Sequence, residues 1–460
     1  MATTFLLPAE PVTSLDAYLA TEMGGLGIER AQRIGPAATI EAVTASGLRG
    51  RGGGGFPTGR KWAGIASQSG TRRYLVCNGA EGEPGTFKDR ALLRANPYQV
   101  VEGLIIAAFA VGAEETYVCL KGGFEREREA ATRAVQELQQ AGICTDCSFT
   151  FVAGPDEYLF GEEKAMLEVI EGKPPLPRWF APYEHGLFAS APQAGWESTA
   201  RTTPVGGSNP TLVNNVETLA NVPHILARGP EWFRSMGTEQ SPGTVVTTVV
   251  GDVVAPDVGE VELGTPLRAV IDAVGSGVAD GRTVKAVFSG VANAVVTAPQ
   301  LDVAVSYEGF AAIGSGMGAA GFIVYDDTTC MVDAAYRFSR FLSIESCGQC
   351  PPCKIGSSEI TAHLEQLETG AGGDDDLRSI VHWLERVTDG NRCYLAVEER
   401  VVVDSILRAF PDEFAEHVEL GRCPHPRQLP IPKLVDLADG EATYDETFWR
   451  KRPDWTYDPA

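Results

Sequence analysis

Ser346-Cys347-Gly348-Gln349-Cys350-Pro351-Pro352-Cys353-Lys354 is the stretch from which the rest of the chain is read. Its cysteines are spaced two residues apart, so three thiolates can converge on one metal centre. Gly348 and the prolines predict an open loop rather than a helix. A fourth thiolate has to come from elsewhere, and Cys393, in Gly390-Asn391-Arg392-Cys393-Tyr394, is the natural candidate. Three clustered cysteines and one distant one are a common ligand set for a cubane iron–sulfur cluster. Spacing alone leaves a zinc site and a disulfide-bonded loop open, although zinc more often uses paired C-x-x-C units.

Around that loop, residues 328–422 read as almost wholly helical. Ile355, Ile360, Leu364 and Leu367 form one apolar stripe; Leu377, Ile380, Val381 and Leu384 another; Val401, Val402, Ile406 and Phe410 a third. Such stripes predict a helical bundle with the cysteine loop at one end. A Pro-rich tail, 423–460, follows and is expected to wrap a surface or meet a partner. On the N-terminal side, residues 243–327 have a different texture. Thr244–Val254 and Gly259–Leu263 are β-branched strands, Pro266–Val274 is an amphipathic helix, and Val284–Phe288 returns to the strand pattern. That order predicts a small β-grasp-like module.

Residues 1–242 read as an α/β domain behind N-terminal helices. Leu15, Tyr18 and Leu19 share one helical face within 13–46, and Ile40 and Val43 another. Strands at 73–77, 116–120 and 149–152 alternate with helical runs, as in a layered α/β fold. Between helices and strands lies Ser46-Gly47-Leu48-Arg49-Gly50-Arg51-Gly52-Gly53-Gly54-Gly55-Phe56-Pro57, too glycine-rich for either element. Gly50–Gly55 matches G-x-G-x-x-G, but no strand precedes it and Pro57 follows, so the Rossmann context fails and the lone match is weak. The better reading is a nest of backbone N–H groups for phosphates, with Arg51 and Lys61 adding charge. Asn78 and the acidic run after it close the first strand, where α/β folds place their ligands. Gly161 precedes Glu162 and Glu163 at a helix start, where the macrodipole favours carboxylates. Residues 184–209 read as a long surface loop, and Pro210–Leu219 as a loop running into a helix with Asn214 and Asn215 side by side.

A net charge of −23 argues against nucleic acid or an anionic membrane surface as a partner. No window approaches the roughly eighteen apolar residues of a membrane span. Met1–Pro8 lacks the basic region of a signal peptide, so the expected compartment is the cytosol, peripheral to a membrane at most. Cys144 and Cys147 form a C-x-x-C unit with no second pair and read as spare thiols. Cys77, Cys119 and Cys330 read as core residues. Cys423 lies near no evident ligand, and the histidines show no ligand spacing.

Four stretches together resemble one family: SGLRGRGGGGFPTGRKW, CNGAEGEPGTFKDR, YLFGEEKAMLEVIEG with the later PTLVNNVETLANVP, and ESCGQCPPCKIG with its distant cysteine. They are similar to the flavin- and NADH-binding iron–sulfur subunit of respiratory complex I and its relatives in NAD-linked formate dehydrogenases and hydrogenases. The resemblance implies a flavin-binding α/β domain, a β-grasp domain of the soluble-ligand-binding type, and a C-terminal helical bundle. It implies FMN, NAD(H) and one 4Fe–4S cluster. Position by position, it assigns Gly50, Arg51, Gly52 and Lys61 to FMN, with Asn78, Gly161, Glu162, Asn214 and Asn215 along the flavin. Phe56, Glu83, Tyr158 and Glu163 would face the nicotinamide nucleotide, Glu83 and Glu163 lying nearest the chemistry. Cys347, Cys350, Cys353 and Cys393 would ligate the cluster.

The chain departs from the family pattern at Ala80, where relatives carry an acid, and at Ala63, where they carry a phenylalanine. Phe180 stands in place of a phosphate-facing lysine, with Tyr183 as the replacement stacking ring. The leading expectation is an electron-input subunit that takes hydride from NADH onto FMN and passes single electrons to the cluster. A flavin is needed between a two-electron donor and a one-electron acceptor. The implied partner is a thioredoxin-like 2Fe–2S subunit. The alternatives are a paralogue exchanging electrons with ferredoxin without NADH, and a zinc-stabilised scaffold.

Overall fold

The computed structural model describes residues 4–68, 72–144, 147–190, 207–425, 427 and 429–459. Strands β1 (Tyr74–Gly79), β2 (Glu115–Lys121), β3 (Ser148–Gly154) and β4 (Thr211–Asn215) pair in parallel in the order β3-β2-β1-β4. Parallel neighbours need crossovers. Helices Lys88–Ala95 and Pro97–Val111 carry the chain from β1 to β2, and Glu125–Gln140 carries it from β2 to β3. Pro97–Val111 is apolar almost all round because it is buried between the sheet and helix Val216–Arg228.

β4 corrects the sequence reading of 210–219 as a loop running into a helix. Leu212 and Val213 are buried and stand in register with Leu75 and Val76 of β1. A short strand buried on both faces shows no alternation, so periodicity could not reveal it. Helix Val216–Arg228 follows at once, capped by the Asn215 side chain, which accepts the Glu217 N–H at 3.0 Å. The pairing matters for function, because it sets Asn78 opposite Asn215 at the ends of adjacent strands.

The second sheet comprises β5 (Thr244–Gly251), β6 (Asp257–Glu262), β7 (Val284–Ser289), β8 (Val296–Thr297) and β9 (Gly321–Asp326), ordered β6-β5-β9-β7-β8. β5 is antiparallel to β6 and parallel to β9, and helix Leu267–Gly275 packs on β5 and β6. β8 and β9 go beyond the expected strands.

Helices Met331–Glu345, Pro351–Glu368, Asp374–Leu384, Leu395–Ala409 and Pro411–Leu420 pack on one another. Ile360, Leu364 and Leu367 are buried as expected, but Ile355 and Val381 are exposed, as is Leu19 near the N-terminus. Those three flank their stripes, at helical angles that already face water. The open-loop reading of the prolines also needs correction. Pro351 and Pro352 are the first two residues of helix Pro351–Glu368, where a missing N–H costs nothing, and Cys353 already lies in its first turn.

The tail straps these parts together, with a hairpin of β10 (Leu434–Ala438) and β11 (Glu441–Tyr444). The Gly85 N–H donates to the Pro432 carbonyl at 2.7 Å, and Arg90 donates to Leu434 O at 3.0 Å. Lys451 pairs with Glu345 at 2.8 Å, both deeply buried. Within the expected 184–209 surface loop, Leu187 is buried against the α/β core, and residues 191–206 lie outside the described segments. Thr145 and Asp146 of the C-x-x-C unit also lie outside them; Cys144 is buried, and Cys147 lies 3.0 Å from the Thr116 hydroxyl. Among the described residues no helix is long and apolar enough to cross a membrane.

Candidate cofactor site

The glycine loop, the ends of β1 and β4 and the start of helix Glu163–Ile170 enclose a cleft of about 650 Å³. Gly50, Gly52, Phe56, Lys61, Asn78, Gly161, Glu162, Glu163, Asn214 and Asn215 all line it. A Cβ on Gly54 would meet nothing within 4 Å, and one on Gly161 only Ala80 Cβ at 3.9 Å. Side chains there would fill the space that a ligand needs. Thr58 opens helix Thr58–Ala66 beside this loop, and its buried hydroxyl has no protein partner. Loop N–H groups, a helix N-terminus and an unpartnered hydroxyl make a cradle fit for a phosphate.

The polar side chains are held in place by their neighbours. Asn78 Nδ2 donates to Gly161 O at 2.7 Å, and Trp62 Nε1 donates to Asn214 Oδ1 at 2.7 Å. Asn215 donates to Asp89 at 2.6 Å and accepts from Lys88 Nζ at 3.1 Å. Lys61 pairs with Glu163 at 2.8 Å. The Glu162 carboxylate caps its helix by accepting the Lys164 and Ala165 N–H groups at 2.9 and 3.0 Å. Burial nevertheless lifts its pKa to about 7, against the pull of Lys164.

Arg51 departs from the expected arrangement. Its guanidinium is buried under the loop, donating to the Pro242 and Thr244 carbonyls at 3.2 and 3.0 Å, with Glu217 3.8 Å away. It braces the loop against β5 and adds no charge to the cleft. Glycine neighbours make an arginine look ligand-facing, and sequence offers no sign of the carbonyls behind it.

A second chamber of about 220 Å³ shares Gly52, Asn78, Gly161, Glu162 and Asn215 with the cleft and continues it towards the helices. Glu83 and Tyr158 line it together with Glu398, which sequence reasoning missed. Tyr158 Oη donates to Glu83 Oε2 at 2.5 Å and stands 3.3 Å from Glu398. The Val291 N–H donates to the other Glu83 oxygen at 2.6 Å. Gly290 makes that approach possible, since a Cβ there, at φ +62°, would lie 2.1 Å from Glu83 Oε1. Burial raises both carboxyls, so this pair favours holding a proton.

Cys393 lines this chamber and also a small cavity walled by Cys347, Cys350 and Cys353. The four sulfurs thus come from the loop before Pro351, the first turn after it, and the turn before helix Leu395–Ala409. Gln349 Nε2 donates towards Cys347 Sγ at 3.6 Å, and Ser346 Oγ lies 3.4 Å from Cys353 Sγ. Burial raises the Cys353 and Cys393 thiols to about 11 and about 12. Iron is the positive centre that would make them thiolates, and four cysteines around one cavity fit a cubane cluster. Of the departures, Ala80 is buried, Ala63 is exposed on its helix, Tyr183 lines the cleft, and Phe180 faces His185 instead.

A phosphate cradle leading through a carboxylate-lined chamber to four cysteines defines a flavin- and iron–sulfur-dependent oxidoreductase. Comparison with known proteins makes the class specific. Residues 43–224 match the Nuo51 FMN-binding domain, and residues 333–417 match the NADH-ubiquinone oxidoreductase-F iron-sulfur binding region. The second of the NADH-quinone oxidoreductase F subunits of Rhizobium meliloti is 38% identical over 400 residues, 85% of this chain and 90% of that one. The HndC component of the NADP-reducing hydrogenase of Solidesulfovibrio fructosivorans is 34% identical, covering 89% and 82%. The crystal structure of an NAD⁺-reducing [NiFe]-hydrogenase in the air-oxidized state superposes with a TM-score of 0.74 at 30% identity, over 92% of this chain and 69% of that one. The chain belongs to the family of NADH-quinone oxidoreductase F subunits, NADH dehydrogenase-like flavoproteins that carry FMN and a 4Fe–4S cluster.

Proposed function

We propose that the chain is the electron-input subunit of a multisubunit NAD-linked complex, with the flavin in the glycine-loop cleft and the cluster on Cys347, Cys350, Cys353 and Cys393. The observation that carries this reading is continuity. The cleft, the chamber and the cysteine cavity share lining residues in sequence, and Cys393 belongs to the last two. Bound there, FMN would supply the conversion between two-electron hydride chemistry with NADH and one-electron transfer to the cluster.

The residues of the chain bind and orient. Gly52 and Thr58 hold the phosphate, while Gly50, its N–H taken by the Phe56 carbonyl at 2.8 Å, shapes the loop, and Asn78, Gly161, Glu162, Asn214 and Asn215 line the flavin. Phe56 is 53% exposed at the mouth, with the Arg60 guanidinium 5.6 Å over its ring, and offers a stacking face to the nicotinamide nucleotide. Lys61 and Glu163 supply one charge of each sign beside it. Glu83 and Tyr158, fixed to each other and to Val291, limit where the nicotinamide ring can lie, and positioning of this kind supplies much of the rate.

The domain division follows the same reading: 1–242 flavin and NAD(H) binding, 243–327 a β-grasp module, 328–422 a helical bundle bearing the cluster, and 423–460 the tail. The strand order of the second sheet and the helix after its first hairpin support the β-grasp assignment. The implied partner is a 2Fe–2S subunit, and Tyr394, 62% exposed beside Cys393, supports docking on the cluster's side; a cytoplasmic setting goes with the same reading. The test is anaerobic addition of NADH to the purified chain. Flavin bleaching followed by the EPR signal of a reduced cluster is expected. A flavin that dithionite reduces and NADH does not would overturn the reading.

A further inference from the structure

Outside the cleft, the chamber and the cysteine cavity, four side chains that the sequence leaves unrelated come together. Cys330 is the N-cap of helix Met331–Glu345, Glu368 ends helix Pro351–Glu368, His417 lies in the last turn of Pro411–Leu420, and Cys423 begins the tail. One ligand atom from each lies within 4.8 Å of every other. His417 Nε2 is 3.4 Å from Cys330 Sγ and 3.4 Å from Glu368 Oε2, and Cys330 Sγ is 3.8 Å from that carboxylate. A tetrahedral metal with sulfur at ~2.3 Å and nitrogen or oxygen at ~2.0–2.2 Å needs its ligand atoms about 3.3–3.8 Å apart. The three separations among Cys330, Glu368 and His417 lie in that range, and Cys423 Sγ stands within 4.8 Å of all three.

The surroundings fit the same role. His417 Nδ1 lies 2.7 Å from the Glu413 carbonyl, which leaves Nε2 with its lone pair free to ligate. The Asp333 N–H points at Cys330 Sγ from 3.4 Å, at the start of a helix whose dipole favours a thiolate. Cys330 and His417 are buried, while Glu368 and Cys423 are partly covered. Both cysteines are unbonded to any other.

We propose that Cys330, Glu368, His417 and Cys423 bind one structural zinc ion, separate from the iron–sulfur cluster, which pins the tail to the helices. Two sulfurs, one imidazole and one carboxylate in a closed four-ligand set suit zinc better than a hard cation, and leave no open position for catalysis. The ion ties three helices to the point where the chain turns into the strap. Downstream of it, Arg427 pairs with Asp252, Pro432 reaches the loop after β1, and Leu434 reaches Arg90 in the helix that follows. The site thus sits where the helices hand the chain over to that strap.

The experiment is elemental analysis of the full chain purified anaerobically from medium containing both iron and zinc. The expected result is about one zinc per chain beside the cluster iron. His417→Ala and Cys423→Ser should each lower zinc at least tenfold while iron and flavin stay bound, and the tail beyond Cys423 should become sensitive to protease. Exchange of wild-type protein with Co²⁺ should give thiolate-to-cobalt charge-transfer bands and tetrahedral d–d bands, whether or not the variants fold. Wild-type protein with no zinc and no such cobalt spectrum overturns the proposal, as does zinc retained by both variants or a Cys330–Cys423 disulfide in the anaerobic protein. The zinc readout does not depend on NADH, so it can fail or succeed separately from the reading of the flavin site.

Discussion

The helical part of the chain holds two thiol clusters built in opposite ways. Around the cysteine cavity, three of the four sulfurs come from seven consecutive residues, and the fourth precedes the helix that packs beside them. Around His417, no two ligands are closer than six residues, and they come from three helices and the tail. The first cluster lies at the end of a ligand chamber and is suited to passing electrons. The second lies where chain segments must be held together and is suited to holding them. Local ligands let a cluster assemble on one loop, whereas scattered ligands form only once the fold has gathered them.

Cys350→Ser gives the largest effect expected. Iron is lost and electron throughput to an acceptor falls by on the order of a thousandfold, because single electrons no longer have a path. Zinc content and bleaching of the flavin by NADH should persist. Iron quantification with a stopped-flow trace checks this, and loss of both metals together would erase the distinction between the two clusters.

His417→Ala is the mirror experiment. Flavin reduction and the cluster EPR signal remain, while the domain loses about 3–4 kcal/mol, as for an ion present at several hundred times its dissociation constant. Denaturant titration with and without chelator measures it. A wild-type midpoint indifferent to chelator would show that the site does not stabilise the fold.

Gly161→Val addresses the far end of the redox path. Branched carbons there project into the cleft, since only Ala80 Cβ stands near. FMN binding should weaken by about 1–3 kcal/mol, with both metals retained. Flavin fluorescence titration decides it, and unchanged affinity would place the flavin elsewhere.

Glu162 adds a pH dependence. Its pKa is raised to about 7 by burial, so it is largely neutral at pH 6 and largely charged at pH 8. The charged form repels the flavin phosphate and ring oxygens, so FMN affinity should fall as pH rises through about 7, by roughly tenfold. Glu162→Gln should bind with a flat profile. A slope that survives the substitution would assign the titration to another group.

The two clusters also show what a sequence can reveal. C-x-x-C-x-x-C announces itself because helix-start geometry converts its spacing directly into convergence. The strands β1, β2 and β3 are legible from their apolar runs, and most of the cleft from Gly50–Gly55, Asn78 and Asn215. Cys330, by contrast, reads as a core residue and is one by burial; its ligand role depends on His417, 87 residues away. Glu398 is hidden for the same reason, since its i±4 neighbours say nothing about Tyr158. β4 and the Arg51 guanidinium escape a sequence reading because their partners, β1 and the Pro242 and Thr244 carbonyls, are distant in the chain.

The smallest effect concerns the protons around each set of sulfurs. At Cys353 the neighbouring group is the Ser346 hydroxyl, 3.4 Å from Sγ and buried. Either atom can donate while Cys353 is a thiol, but once it is a thiolate ligand only the hydroxyl can. A hydrogen bond to a ligating sulfur withdraws charge from the cluster and raises its reduction potential. Ser346→Ala should therefore lower the potential, by on the order of tens of millivolts, without changing iron content. At Cys330 the corresponding donor is the backbone N–H of Asp333, which every residue but proline would keep. The contrast is physically apt: a tunable donor serves a site whose potential matters, and a fixed one serves a site whose metal never changes valence. An EPR-monitored redox titration of the Ser346→Ala protein checks the claim. A potential that stays put or rises would mean that the hydroxyl only packs against the sulfur.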